Sequence, residues 1–126
     1  MKRQIISIVM LFIALGICIW ELIFLKFTIN EFKNNIYNIQ ISQSDKNTDE
    51  AINKTNSVIK DWKVHKTFLS SFINHDPLDE IETSLETIKI ALENDEKEDF
   101  LIECKKSLIL LDNIRDTETP SIGNIL

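Results

Sequence analysis

The chain has 126 residues, 44% of them hydrophobic, and a formal net charge of −6. Only two glycines and two prolines are available for turns, which excludes a turn-rich β architecture and points to a few long helices. The acidic balance lacks the basic stripe that nucleic-acid binding requires, so that function class is set aside.

The first element is an apolar run over residues 5–25, preceded by Met1-Lys2-Arg3-Gln4 and interrupted only by Ser7 and Glu21. As a helix rising about 1.5 Å per residue it covers roughly 30 Å, the thickness of a bilayer hydrocarbon core. A cleaved signal has an apolar core of about 7 to 15 residues and a small-x-small exit, whereas this run continues past Trp20 with no such site before Lys26. Leu15-Gly16-Ile17-Cys18 faintly resembles a lipoprotein box, but Ile17 is too large for the position before a lipidated cysteine. An uncleaved anchor over residues 1–27 is therefore expected, with lipidation of Cys18 as the competing reading. Lys2 and Arg3 outweigh Lys26 and Lys33 under the positive-inside bias only narrowly. The expected topology is a single-pass cell-membrane protein with its amino terminus cytoplasmic and residues 28–126 extracytoplasmic.

Those residues read as one all-α domain. The helix of the span continues as a stalk over 28–40, because Leu25, Ile29, Phe32, Ile36 and Ile39 recur at alternating spacings of four and three. Asn30, Asn34, Asn35 and Asn38 lower its intrinsic propensity, so packing must hold it. A polar loop is expected around residues 41–47. Asn47-Thr48-Asp49-Glu50 then has the spacing of a capping box and opens a helix over about 48–73, with Ala51, Thr55, Val58, Trp62, His65, Leu69 and Phe72 on one face.

A third helix is expected over 77–93, starting at Asp76-Pro77 and sealed by Leu78, Ile81, Leu85, Ile88 and Leu92. A fourth over 96–115 carries Leu101, Cys104, Leu108 and Leu111, flanked by Phe100 and Ile114. Short connections imply antiparallel neighbours, so the stalk and these three helices should form an up-and-down four-helix bundle. The tail 116–126 ends in Ser121-Ile122-Gly123-Asn124-Ile125-Leu126, apolar enough to fold back onto the bundle.

Charge is unevenly divided. Residues 76–99 hold ten acidic side chains against Lys89 and Lys97, whereas residues 54–66 hold four lysines against Asp61. Paired antiparallel, the two helices should exchange exposed salt bridges of ~0 to 1 kcal/mol each, which guide register more than stability. Cys18 in the bilayer and Cys104 in a helical seam cannot meet, so no internal disulfide is expected and Cys104 should be a small buried hydrophobe.

Folding the central hairpin about His75 sets His65 within a turn of Glu82, the best-placed partner for a histidine in an apolar seam. The functional alternative is a metal or proton site made from His65, His75, Asp79 and Glu82, although the spacing matches no established ligand pattern. A pH-sensitive switch is a third possibility. In the span, Ser7, Ala14, Cys18 and Glu21 form one stripe continuing through Leu25 and Thr28 to Phe32. Small and polar residues so arranged suit contact with another membrane helix, while Glu21 beside Trp20 equally suits the outer interface.

Trp62-x-x-His65, Phe72-x-x-His75-Asp76 and Asp79-Glu80-Ile81-Glu82-x-Ser84-Leu85, with Trp20-Glu21-Leu22 and Asn124-Ile125-Leu126, carry a family resemblance over nearly the whole chain. The chain resembles the uncharacterised small single-span membrane proteins of Gram-positive spore-formers known as domain of unknown function 4363. That resemblance implies an anchor plus a helical domain, no assigned activity and a membrane protein as neighbour. No glycine-rich phosphate loop, paired nucleophile and base, or His-Glu-x-x-His helix is present, so neither an enzyme nor a cofactor is expected. The reading is a membrane-anchored interaction or accessory module in contact with the lipid bilayer and a second membrane protein or another copy of itself. Its rival is an extracytoplasmic sensor whose bundle holds a ligand or cation.

Overall fold

A computed structural model describes residues 1–71 and 73–118. Its helices are α1 (Lys2–Ser44), α2 (Thr48–Leu69), α3 (His75–Glu93) and α4 (Lys97–Glu118). Helix α1 runs unbroken for 43 residues, a length of about 65 Å. It therefore crosses the expected boundary between anchor and stalk without a joint. Residues 1–20 are exposed throughout, and packing begins with Glu21 and Leu22, half-buried, and Leu25, buried. The bundle thus starts several residues before position 28.

The expected loop at 41–47 is shorter than the sequence suggested, because α1 continues through Ile41 to Ser44. The Asn47 amide donates to the Ser42 carbonyl at 3.0 Å and the Lys46 amide to Gln43 at 3.0 Å, the paired bonds of a Schellman turn. The α3–α4 turn repeats the pattern, with Glu96 donating to Ala91 (2.9 Å) and Asp95 to Leu92 (3.4 Å). The left-handed position, usually glycine, is held by Lys46 (φ 60°) and Asp95 (φ 55°).

Helix α2 opens as expected, with the Glu50 amide donating to Asn47 Oδ1 at 3.2 Å and Asn47 Nδ2 donating to Glu50 Oε2 at 2.8 Å. It ends at Leu69 rather than near 73. Helix α3 starts two residues before the expected Pro77. Asn74, not Asp76, is the cap, its Oδ1 accepting from the Asp76 amide at 3.4 Å. Pro77 still lies in the first turn, where its missing N–H forfeits no intrahelical bond. The expectations for Phe72 and for the tail beyond residue 118 fall outside the described residues.

Among the described residues each helix packs on two neighbours, α1 on α2 and α4, and α3 on α2 and α4. That closed square is an up-and-down bundle. Its core takes Leu25, Ile29, Phe32, Ile36 and Ile39 from α1 and every seam residue expected of α3. Trp62 is fully buried at its centre, its ring edge-on to Phe32 at 5.0 Å and its indole N–H donating to the Leu78 carbonyl at 3.1 Å.

Helix α4 departs from the expected phase. Its buried positions are Phe100, Cys104, Ser107, Leu111 and Ile114, while Leu101 is 57% exposed. Leu108 is only partly buried. A serine occupies the middle of the seam because it has a partner there. The Ser84 and Ser107 hydroxyls lie 2.8 Å apart, and Ser107 Oγ donates to the Glu103 carbonyl at 2.9 Å.

Candidate interaction site

The charge complementarity expected of α2 and α3 is realised near their shared turn. Lys66 Nζ lies 2.7 Å from Glu82 and also pairs with Asp79, while Lys63 reaches Glu82 at 3.9 Å and Glu86 at 3.7 Å. Hydrogen bonds to Asp79 and then Glu82 raise the Lys66 pKa above the ordinary lysine value, so its charge is secure at neutral pH. The position between the two carboxylates that a cation would take is thus taken by an ammonium group.

This arrangement corrects the expected partnership of His65 with Glu82. His65 is on the α1 side of α2, where its Nδ1–H donates to the Asp61 carbonyl at 2.8 Å and its ring meets Phe32 edge-on at 5.3 Å. His75 sits at the first position of α3, exposed, and lines an open hollow with Lys63, Lys66, Thr67, Ser70 and Glu82. The fold therefore joins Asp79 and Glu82 through Lys66, leaves His75 on the rim of the hollow that Glu82 also lines, and sets His65 apart. Among the described residues no three His, Cys, Asp or Glu side chains converge as a metal site would require.

Cys104 is fully buried, and loss of hydration pushes its thiol up to about 12 against a smaller downward pull from the Gln40 side chain. It packs as a small apolar group. In the apolar segment of α1, Ser7, Ala14 and Cys18 are exposed, and Ser7 Oγ donates to the Arg3 carbonyl of its own helix at 2.9 Å. Glu21 is half-buried, and the stripe runs on into Leu25, Thr28 and Phe32, all buried against the bundle. The face of α1 carrying the stripe is therefore the one turned toward the bundle axis.

A second surface was not anticipated. The ties Lys33–Asp112 (2.8 Å) and Gln40–Cys104 set the register of α4 on α1. Leu101 and Leu108 then fall on the α4 flank toward α1, with Ile102 (62% exposed) and Ile109 (50% exposed) on the outward positions beside them. Tyr37 of α1, also exposed, follows Lys33 by one turn along that flank. The signal in the sequence was the doublet Leu101-Ile102 repeated seven residues later as Leu108-Ile109, too wide an apolar arc for one seam.

Fold and surfaces define a class: a small helical bundle whose first helix is long and apolar enough to cross a membrane. The family model described as Domain of unknown function (DUF4363) matches residues 19–125, and the chain belongs to that family. The match covers the bundle and the packed half of α1. Neither a curated protein nor a solved structure matches the chain.

Proposed function

We propose that the chain is a membrane-anchored helical interaction module, with no catalytic step of its own, that assists another membrane protein. The observation that carries this reading is the continuity of α1, in which one unbroken helix supplies both a bare apolar segment of bilayer length and one side of the bundle core. About twenty residues of α1 lie within the bundle, so the bundle's surfaces stay within roughly 30 Å of the bilayer and at a fixed rotation to the span. The face suited to a protein partner is the outer side of α4, where Leu101, Ile102 and Ile109 stand exposed near Tyr37. The stripe Ser7, Ala14, Cys18 and Glu21 offers the same partner a contact within the bilayer.

A photoreactive side chain at Ile109 should crosslink to one discrete species in native membranes, and one at exposed Ser57 should not. Thiol crosslinking through Cys18 should give the same species, weakened by Ala14→Leu and Glu21→Leu but not by Ile13→Leu. Equal crosslinking from Ile109 and Ser57, or none from either, would remove the interaction reading.

Orientation in this proposal follows Lys2 and Arg3, which favour the cytoplasmic side and put the bundle outside. In intact cells an impermeant thiol reagent should modify a cysteine at exposed Lys97 and spare one at Lys2. The reverse pattern would put the bundle in the cytoplasm.

A further inference from the structure

The apolar run of α1 and the bundle overlap, and the overlap sets where the bundle stands. A hydrocarbon core of about 30 Å needs about 20 residues of helix, so a span entered at Ile5 leaves the core near Phe24. The bundle already packs on α1 from Glu21 and Leu22 onward. If the bundle stood clear of the bilayer, only residues 5–20 would remain to cross it, about 24 Å of helix and too short by roughly 6 Å.

Side chains at this level fit the alternative. Trp20 stacks on Phe24 with ring centroids 5.4 Å apart, and Phe24 meets Phe68 of α2 edge-on at 5.2 Å. Phe68 is 44% exposed at the C-terminal end of α2, and Ile23 and Phe27, which precede and follow Phe24 on α1, are exposed. Aromatic rings at the membrane–water boundary are favoured where one side is apolar and the other wet. Exposed Lys26 can extend its charge outward from the same level.

We infer that the α2–α3 end of the bundle is seated in the headgroup layer of the bilayer, with Phe68 completing an interfacial aromatic belt begun by Trp20 and Phe24. The lipid surface is the partner of this end, and turn residues Ser70, Ser71 and Asn74 lie among headgroups. Acidic Asp76, Asp79, Glu80 and Asp116 outnumber Lys66 and Arg115 at this end, and Lys66 is already paired with Asp79 and Glu82, so seating rests on apolar contact and draws nothing from anionic lipid. The inference rests on the anchored reading above, and the experiment separates the two.

The full chain carrying Cys18→Ser, with Cys104 left in the core, is reconstituted in phosphatidylcholine vesicles with single labelled cysteines at Ile13, Ser71 or Asp95. A fluorophore at Ser71 should be quenched by headgroup spin-labelled lipid several-fold more than one at Asp95, with no anionic lipid present. Phe68→Ser should reduce quenching at Ser71 while leaving acyl-chain quenching at Ile13 unchanged. Strong chain quenching at Ile13 with Ser71 no more quenched than Asp95 would overturn the seating alone. Absence of chain quenching at Ile13 would overturn the anchor and the seating together.

Discussion

Trp62→Ala will destabilise the bundle by about 3 to 5 kcal/mol, the range for truncating a large buried aromatic. The indole is 0% exposed, so its removal opens a cavity between α1, α2 and α3 that flanking helices, fixed by their own seams, cannot collapse to fill. Two directed contacts go with it, the edge-on packing with Phe32 and the hydrogen bond to the Leu78 carbonyl. Trp62→Phe separates these contributions. It keeps most of the volume and the ring contact and loses the N–H donor, at a net cost of about 1 kcal/mol. Urea unfolding of the detergent-solubilised chain, followed by circular dichroism, gives both values against the unmodified protein. An unshifted midpoint for Trp62→Ala would mean that the tryptophan face does not hold the bundle together.

Trp62 was legible in the sequence because its seam is regular: apolar residues at alternating fours and threes on either side fix which face is inward. The same holds for Leu25 through Ile39 and for Leu78 through Leu92, all of which are buried as expected. Helix α4 was misread at Leu101 because three apolar residues, Phe100, Leu101 and Ile102, compete there for one seam position. The deciding residue is Ser107, whose hydroxyl finds Ser84 and the Glu103 carbonyl inside the bundle. Hydropathy ranks a serine as outward unless its partner on the facing helix is known.

The end of α1 was obscured for a related reason, whereas α3 ends at Glu93 as expected. Schellman turns are recognised by glycine, and here Lys46 and Asp95 adopt the left-handed conformation instead. His65 was assigned the wrong neighbour because a seam residue has two flanks and spacing along one helix does not choose between them. The backbone carbonyl of Asp61, four residues earlier on the same helix, satisfies the ring without help from α3. At the hairpin, the attraction between a lysine-rich and an acid-rich helix was readable. That Lys66 would bridge Asp79 and Glu82 together depends on the rotation of α2, which Trp62 and Leu69 set.

Removal of α1 will abolish cooperative folding of the other three helices, whereas removal of its bare segment alone will not. The first half follows from the core, to which α1 contributes Leu25, Ile29, Phe32, Ile36 and Ile39, all buried. At about 1.5 to 3 kcal/mol for each fully buried side chain, their burial is comparable to the whole stability of a small domain, about 5 to 15 kcal/mol. Without them the inner faces of α2 and α4 meet water, and Trp62 loses the ring it packs against. The second half follows from residues 1–20, which are exposed along their whole length and add nothing to the core. A fragment of residues 21–126 should therefore give a single cooperative urea transition in aqueous buffer, and one of residues 48–126 a shallow loss of helix without a midpoint. A cooperative transition from 48–126 would show that α2, α3 and α4 form a domain by themselves on which α1 merely leans. If α1 instead proves indispensable, the bundle cannot part from α1 without unfolding, and a rotation or tilt of the span is carried rigidly into the faces of α2 and α4. A partner gripping both the span and the outer side of α4 would then hold one rigid body.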